Sequence, residues 1–348
     1  EEAGHDPAHD PLHGGDATPT VSGGERHAHR SPNVPGDRRQ TRGAHGADRP
    51  DERDRSMPDG HVSPSPSPVG DLAAAAPRTT TICDTPGMGT YCITGTASGM
   101  GAATRRRLEA DGHRVVGVDI RDAEVIADLS SAEGRRAAIE QVTALCTDGL
   151  DGVVPCAGVG GLGGAEITVR VNYFGTMAVV SGLRPLLVGR PGAAVVMLSS
   201  NSTTMTPGLQ PADAAVYLAG DEDAAVAHFA GERTWNAYPA GKLAIAYWVR
   251  SQAVGPDWIG SGIRLNAVAP GVIDTNMTRP LLDMPGVADA LRQIPIPAGR
   301  WGTADELAGV ICFLLSPAAG YIVGQTIFAD GGTDALLQPR SHPHPLPG

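Results

Sequence analysis

The chain has 348 residues, a formal net charge of −11 and no basic stripe, which excludes nucleic acid and an anionic membrane surface as expected partners. Its five cysteines (Cys83, Cys92, Cys146, Cys156 and Cys312) form no CxxC pair. No apolar run is long enough to span a bilayer, so no membrane association is expected.

Residues 1–87 contain no Phe, Trp or Tyr and are crowded with Gly, Pro, His, Asp and Arg. Such a stretch cannot bury enough apolar surface to offset the entropy of ordering its backbone, and it is predicted to be a disordered tail. It begins without Met, and Met88 immediately precedes the first predicted strand. Upstream sequence joined by a misassigned start is therefore the other reading. Its seven histidines (His5, His9, His13, His27, His29, His45 and His61) are irregularly spaced, and no metal site is expected from them. The N-terminus has no apolar h-region, so no secretory leader is expected and cytoplasm is the expected location.

From Thr90 onward, strands are predicted at 90–94, 115–119, 124–129, 152–156, 193–199, 263–268 and 322–328. Helices are predicted at 99–111, 132–146, 167–187, 237–254 and 304–315. Alternation of this kind, with apolar runs on the strands, predicts an α/β fold: a doubly wound parallel sheet of Rossmann type, as a single domain over 88–337. Residues 338–348 read as a flexible C-terminal tail. Pro155 breaks a local rule, because proline removes a ladder donor from a strand. Either the strand stops at Val154 or that position needs no N–H.

Gly95, Ser98, Gly99, Met100 and Gly101 join the first strand to the first helix. Glycines there let backbone amides approach a pyrophosphate, and a helix N-terminus offers unpaired N–H groups and a positive dipole end. Asp119 ends the second strand 24 positions after Gly95. A carboxylate in that place accepts hydrogen bonds from ribose hydroxyls and repels a 2′-phosphate. Arg121 could welcome that phosphate, but the glycine turn carries no basic residue, and NAD is the expected cofactor. Asp128 and Leu129, at the end of the predicted third strand, are candidate adenine contacts.

Tyr238 and Lys242 stand four positions apart at the start of a predicted helix, so phenol and ammonium share one face. A neighbouring cation favours phenolate and is expected to lower the tyrosine pKa. Of 27 basic residues, Lys242 alone is lysine. Lys and Arg differ in geometry and pKa behaviour, and a site that needs a compact ammonium explains the exception.

With these residues in hand, the chain resembles the short-chain dehydrogenase/reductase family over 88–337. The glycine motif, Asp151, the Ala157-Gly158 step, Asn172, Ser200, Tyr238, Lys242 and the run from Pro270 and Gly271 to Thr275 appear in the family's order. The resemblance implies Tyr238 as acid/base, with Lys242 holding the nicotinamide ribose and tuning Tyr238. Ser200 would bond the substrate oxygen, with Ser199 as the adjacent alternative. Asn172 would kink a helix and bind a water of the proton relay. Ala157, Gly158, Pro270, Gly271 and Thr275 would complete the cofactor contacts, the last three clasping the nicotinamide end. Cys156 replaces the family's usual Asn, which affects a sheet-stabilising bond rather than the chemistry.

The short segment from Ala157 to Asn172 and the 38-position step from Ser200 to Tyr238 look like the bacterial 3α-hydroxysteroid dehydrogenase/carbonyl reductases. Coniferyl-alcohol dehydrogenases share the layout more loosely. The expected activity is NAD-dependent interconversion of a secondary alcohol and a ketone on a 3α-hydroxysteroid or other bulky apolar substrate. A catalytically silent dinucleotide-binding sensor is the reading from a different class. A homo-oligomer, dimer or tetramer, is expected. Residues 203–236 read as an insert with helices at 212–218 and 221–230. Their apolar sides (Ala215, Val216, Leu218, Ala225, Val226 and Phe229) are expected to cover a hydrophobic ligand beside Tyr238, the other reading being that they pack on the protein body.

Overall fold

The computed structural model describes residues 87–341. The readings made for residues 1–86, including the histidines and Cys83, lie outside the described residues, as does most of the C-terminal tail.

The strands are β1 (Thr90–Thr94), β2 (Arg114–Asp119), β3 (Val125–Ile126), β4 (Gly152–Pro155), β5 (Ala194–Leu198), β6 (Arg264–Pro270), β7 (Ile273–Asp274), β8 (Gly302–Thr303) and β9 (Thr326–Ala329). The helices of the first half are α1 (Gly99–Ala110), α2 (Ala132–Leu145), α3 (Ala165–Val169) and α4 (Thr176–Leu183). Those of the second half are α5 (Ser202–Met205), α6 (Pro211–Leu218), α7 (Glu222–His228), α8 (Thr234–Gln252), α9 (Val287–Gln293), α10 (Ala304–Leu315) and α11 (Thr333–Leu337).

Seven strands form one sheet in the order β3-β2-β1-β4-β5-β6-β9, and every pairing is parallel. Strand side chains alternate between its two faces. Val195 and Met197 of β5 join a core with Val142 of α2, Val180 of α4 and Ile245 of α8. Ala194, Val196 and Leu198 of the same strand meet Leu108 of α1 and Leu307, Ile311 and Leu314 of α10 on the other face. The order reverses between β1 and β4, which opens a crevice beyond the strands' carboxyl ends.

Pro155 is the last residue of β4 and pairs only with Thr94 of β1, while pairing to β5 covers Gly152 and Val153. The strand therefore ends where its missing donor would matter. Pro239 lies within α8 and removes the helical partner of the Trp235 carbonyl.

Three sequence expectations are corrected. The third strand is two residues long rather than the predicted 124–129, because Asp128 accepts the Ser130 N–H (2.9 Å) and turns the chain away. The single helix predicted at 167–187 is instead α3, a π-helical turn over Arg170–Gly175, α4, and a 3-10 turn over Arg184–Leu186. At the π turn the Asn172 amide pairs both ways with the main chain of Val159, at 2.8 and 2.9 Å, and Pro185 has no N–H to carry the helix on.

The third correction concerns the insert. Helices α6 and α7 turn their apolar sides to the protein body, where Ala214, Tyr217, Ala225 and Phe229 are fully buried. The Tyr217 ring stands 5.0 Å from Tyr173 and 5.2 Å from Phe229, and its hydroxyl donates to the Ala237 carbonyl at 2.7 Å. Ala215 and Leu218 face outwards instead. The helices thus form part of the core around α8, and none of their residues lines the cleft.

Candidate active site

The site begins at the turn from β1 into α1. Gly95 has φ +76°, and a Cβ there would lie 2.8 Å from the Ala157 backbone. A Cβ on Gly101 would lie 2.2 Å from the Gly95 carbonyl oxygen. Only glycine fits at either position. Ser98 caps α1 without a side-chain bond, so the first N–H groups of the helix stay available to an anion. Asp119 fixes the far side of this turn: one carboxylate oxygen accepts the Ala97 N–H (3.0 Å) and the other the Ile120 N–H (2.7 Å).

A cleft of about 530 Å³ runs over the carboxyl ends of the strands. Gly95, Ser98, Gly99, Met100, Gly101, Asp119, Asp128 and Leu129 line its β2–β3 side. Ala157, Gly158, Asn172, Ser200, Tyr238, Lys242, Pro270, Gly271 and Thr275 line the rest. Every site residue singled out from the sequence thus borders a single cavity. Asp151 does not: it accepts the Thr90 N–H (2.7 Å) and pairs with Arg190 (2.7 Å), ties that hold β1 and β4 in place.

Helix α8 carries Tyr238 and Lys242. The ammonium is buried, donates to the Leu198 carbonyl at 2.8 Å, and lies 5.8 Å from the centre of the Tyr238 ring. Burial pulls its pKa down to about 8. Burial pushes the Tyr238 phenol up, a hydrogen bond with the Ser200 hydroxyl pulls it down, and the Cys156 thiol adds a small upward push. The phenol is thus raised by burial where a lowering was expected, and the Lys242 ammonium is engaged by the Leu198 carbonyl. Cys156 itself, raised to about 11 by burial, is a protonated neighbour at neutral pH.

Two serines end β5. The Ser199 hydroxyl donates to the Lys242 carbonyl at 2.9 Å and is spent on holding α8. The Ser200 hydroxyl accepts the Ser202 N–H at 3.1 Å and keeps its own proton for the cleft.

Sequence reasoning missed the apolar wall near Tyr238. Three glycines between 160 and 163 reach three elements at once: a Cβ on Gly160 would lie 3.5 Å from Met277, one on Gly161 3.6 Å from Tyr238, and one on Gly163 2.8 Å from Ile167. Val159, Ile167 and Met277 all line the cleft. The density of glycine directly after Ala157-Gly158 was the available signal. Residues 203–236 contribute nothing to the lining. No group of three metal-ligating side chains occurs among the described residues, and no helix among them is long and apolar enough to cross a membrane.

A switch-point crevice with a glycine-framed helix N-terminus at one end and a Ser–Tyr–Lys cluster at the other defines a class of dinucleotide-binding oxidoreductases. Comparison with known proteins agrees. The family model described as short chain dehydrogenase matches residues 90–217, and the one described as enoyl-(acyl carrier protein) reductase matches residues 223–334. The chain belongs to the short-chain dehydrogenase family. It is 44% identical over 261 residues to a 3-alpha-hydroxysteroid dehydrogenase/carbonyl reductase of Comamonas testosteroni, covering 72% of this chain and 99% of that protein. It is 33% identical to a coniferyl-alcohol dehydrogenase of a Pseudomonas species over 69% of this chain and 94% of that one. A solved structure, the 3-alpha-hydroxysteroid dehydrogenase from Pseudomonas sp. B-0831 complexed with NADH, is 38% identical with a TM-score of 0.68 over 72% of this chain and 99% of its own.

Proposed function

We propose that the chain is an NAD-dependent oxidoreductase interconverting a secondary alcohol and a ketone, acting on a 3α-hydroxysteroid or another bulky apolar substrate. The observation that carries this reading is the cluster of Ser200, Tyr238 and Lys242 at one end of a cleft whose other end holds Asp119. The NADH in the solved relative and the name of the Comamonas relative support it. The apolar wall of Val159, Ile167 and Met277 suits a hydrocarbon skeleton better than a polyol. The relative acting on coniferyl alcohol makes that substrate the second choice.

Bound NAD supplies the hydride acceptor. The N–H groups of Ser98, Gly99, Met100 and Gly101 would take its pyrophosphate, with Gly95 leaving the room. Asp119 would take the adenosine ribose, and Asp128 with Leu129 the adenine. Ala157, Gly158, Pro270, Gly271 and Thr275 would flank the nicotinamide half. Tyr238 as phenolate takes the proton of the substrate hydroxyl, and as phenol returns it in the reductive direction. Ser200 donates to the oxygen as charge develops on it. Lys242 would hold the nicotinamide ribose. Asn172, pinned to Val159, shapes the π turn whose backbone would hold a relay water.

Initial rates with NAD and a panel of 3α-hydroxysteroids, coniferyl alcohol and small polyols test the reading. The highest kcat/KM is expected for a steroid. A polyol in first place would overturn the substrate class, and no turnover of any alcohol would favour the silent sensor.

A further inference from the structure

The insert stays out of the cleft yet reaches the wall at its β3 end through one buried cation. Arg135 stands in the first turn of α2, is 7% exposed, and spreads its guanidinium across three carbonyls. It donates to Leu129 at 2.7 Å, to Ser130 at 3.2 Å and to Arg170 at 2.8 Å. Leu129 lines the β3 end of the cleft, and Arg170 opens the π turn that contains Asn172. The outer nitrogens meet both carboxylate oxygens of Glu222, the first residue of α7, at 2.7 Å each. Arg170 also reaches Glu222, at 3.2 Å, so one carboxylate of the insert joins two cations of the domain body.

A guanidinium this deep needs a counter-charge, since leaving one partner of a buried pair alone is strongly unfavourable. Glu222 is the carboxylate that supplies it, and it comes from the insert. Its planar fork is what lets Arg135 serve three carbonyls and a carboxylate together, a geometry that Lys cannot reproduce. Without Glu222, Arg135 would swing towards water and release the Leu129 and Ser130 carbonyls. That loop forms the wall proposed above to receive adenine.

We propose that Arg135 is a positioning residue through which the insert, by way of Glu222, sets the affinity of the site for the adenosine half of the dinucleotide. This rests on the cofactor reading given above. It assigns the insert a task other than covering the substrate: α7 clamps the cofactor loop from behind. Cofactor affinity then depends on a segment that itself contributes no residue to the lining of the cleft.

The test compares the full chain with Glu222→Gln and Arg135→Lys, each well below its thermal midpoint. NADH is titrated by fluorescence and ADP-ribose, which lacks nicotinamide, by calorimetry. Either variant is expected to weaken both probes by the same factor, about 3- to 30-fold, the scale of coupling through a supporting contact. Arg135→Lys keeps the charge near Glu222 but loses the fork, so it reports even if Glu222→Gln fails to fold. A lower thermal midpoint with both Kd values unchanged would assign the pair to stability and overturn the proposal. Unfolding of both variants would do the same. A parent chain that binds neither probe would overturn the cofactor reading itself.

Discussion

The hydroxyl of Ser199 donates to the carbonyl of Lys242 at 2.9 Å, which ties the end of β5 to the helix that carries Tyr238. Its neighbour Ser200 faces the phenol. The two serines should therefore fail differently. Ser200→Ala should keep the fold and lose roughly 10²–10³-fold in kcat, the scale for a donor to a developing oxyanion. Ser199→Ala should lower the thermal midpoint, with about 1 kcal/mol lost from a buried hydrogen bond, and retain most turnover. The reverse pattern in kcat and melting would exchange their roles.

Tyr238→Phe should remove roughly 10²–10⁴-fold of kcat with NADH affinity nearly intact, because only the proton carrier is lost. Retention of more than about a tenth of parental kcat would contradict its role. Lys242→Arg should fail as well. The ammonium sits in a buried slot with the Leu198 carbonyl as its partner, and a planar guanidinium does not fit there.

The Asp119 carboxylate is held on both oxygens by backbone N–H groups, so it cannot swing away from a 2′-phosphate. NAD should exceed NADP in kcat/KM. Asp119→Ala should narrow the gap, helped by Arg121, which also lines the cleft. Equal kcat/KM for the two cofactors in the parent chain would refute the assignment.

Lys242 titrates near 8 and Tyr238 above its usual value. Below about pH 8 both carry protons, the state that delivers one to a ketone. Ketone reduction should hold level at neutral pH and decline as pH rises through about 8; a kcat/KM still climbing at about pH 9 would contradict this. Stability runs the other way. The folded pKa lies below the ordinary 10.5, so the folded protein binds fewer protons between about 8 and 10.5 and gains stability as pH rises through that window. Lys242→Met should thus raise the thermal midpoint at neutral pH, with a smaller gain at about pH 10.

What the sequence disclosed and what it hid differ in range. The glycine turn, Asp119 and the Tyr238–Lys242 pair depend on local spacing after a strand or along a helix, and all border the cleft. The kink expected at Asn172 is present as the π turn, but its cause is not local, because the Asn172 amide is held by Val159, thirteen positions earlier. Nor is the Arg135–Glu222 pair local: its members are 87 positions apart. For the insert, the apolar pattern of Ala225 and Phe229 reads alike whether that side meets a ligand or the protein's own aromatics. Only the packing of Tyr217 between Tyr173 and Phe229 decides it.

Lys242 is the chain's sole ε-amine, and it is 7% exposed. An amine-selective reagent therefore meets no lysine on the surface of the folded domain; apart from the terminal α-amino group, its target lies inside the cleft. That amine loses its proton near pH 8, where acylation becomes fast. Modification at this one position is thus a direct gauge of whether the cleft is open or filled. Attachment to a solid support is better made through surface carboxylates, because lysine coupling would reach only the group on which turnover depends.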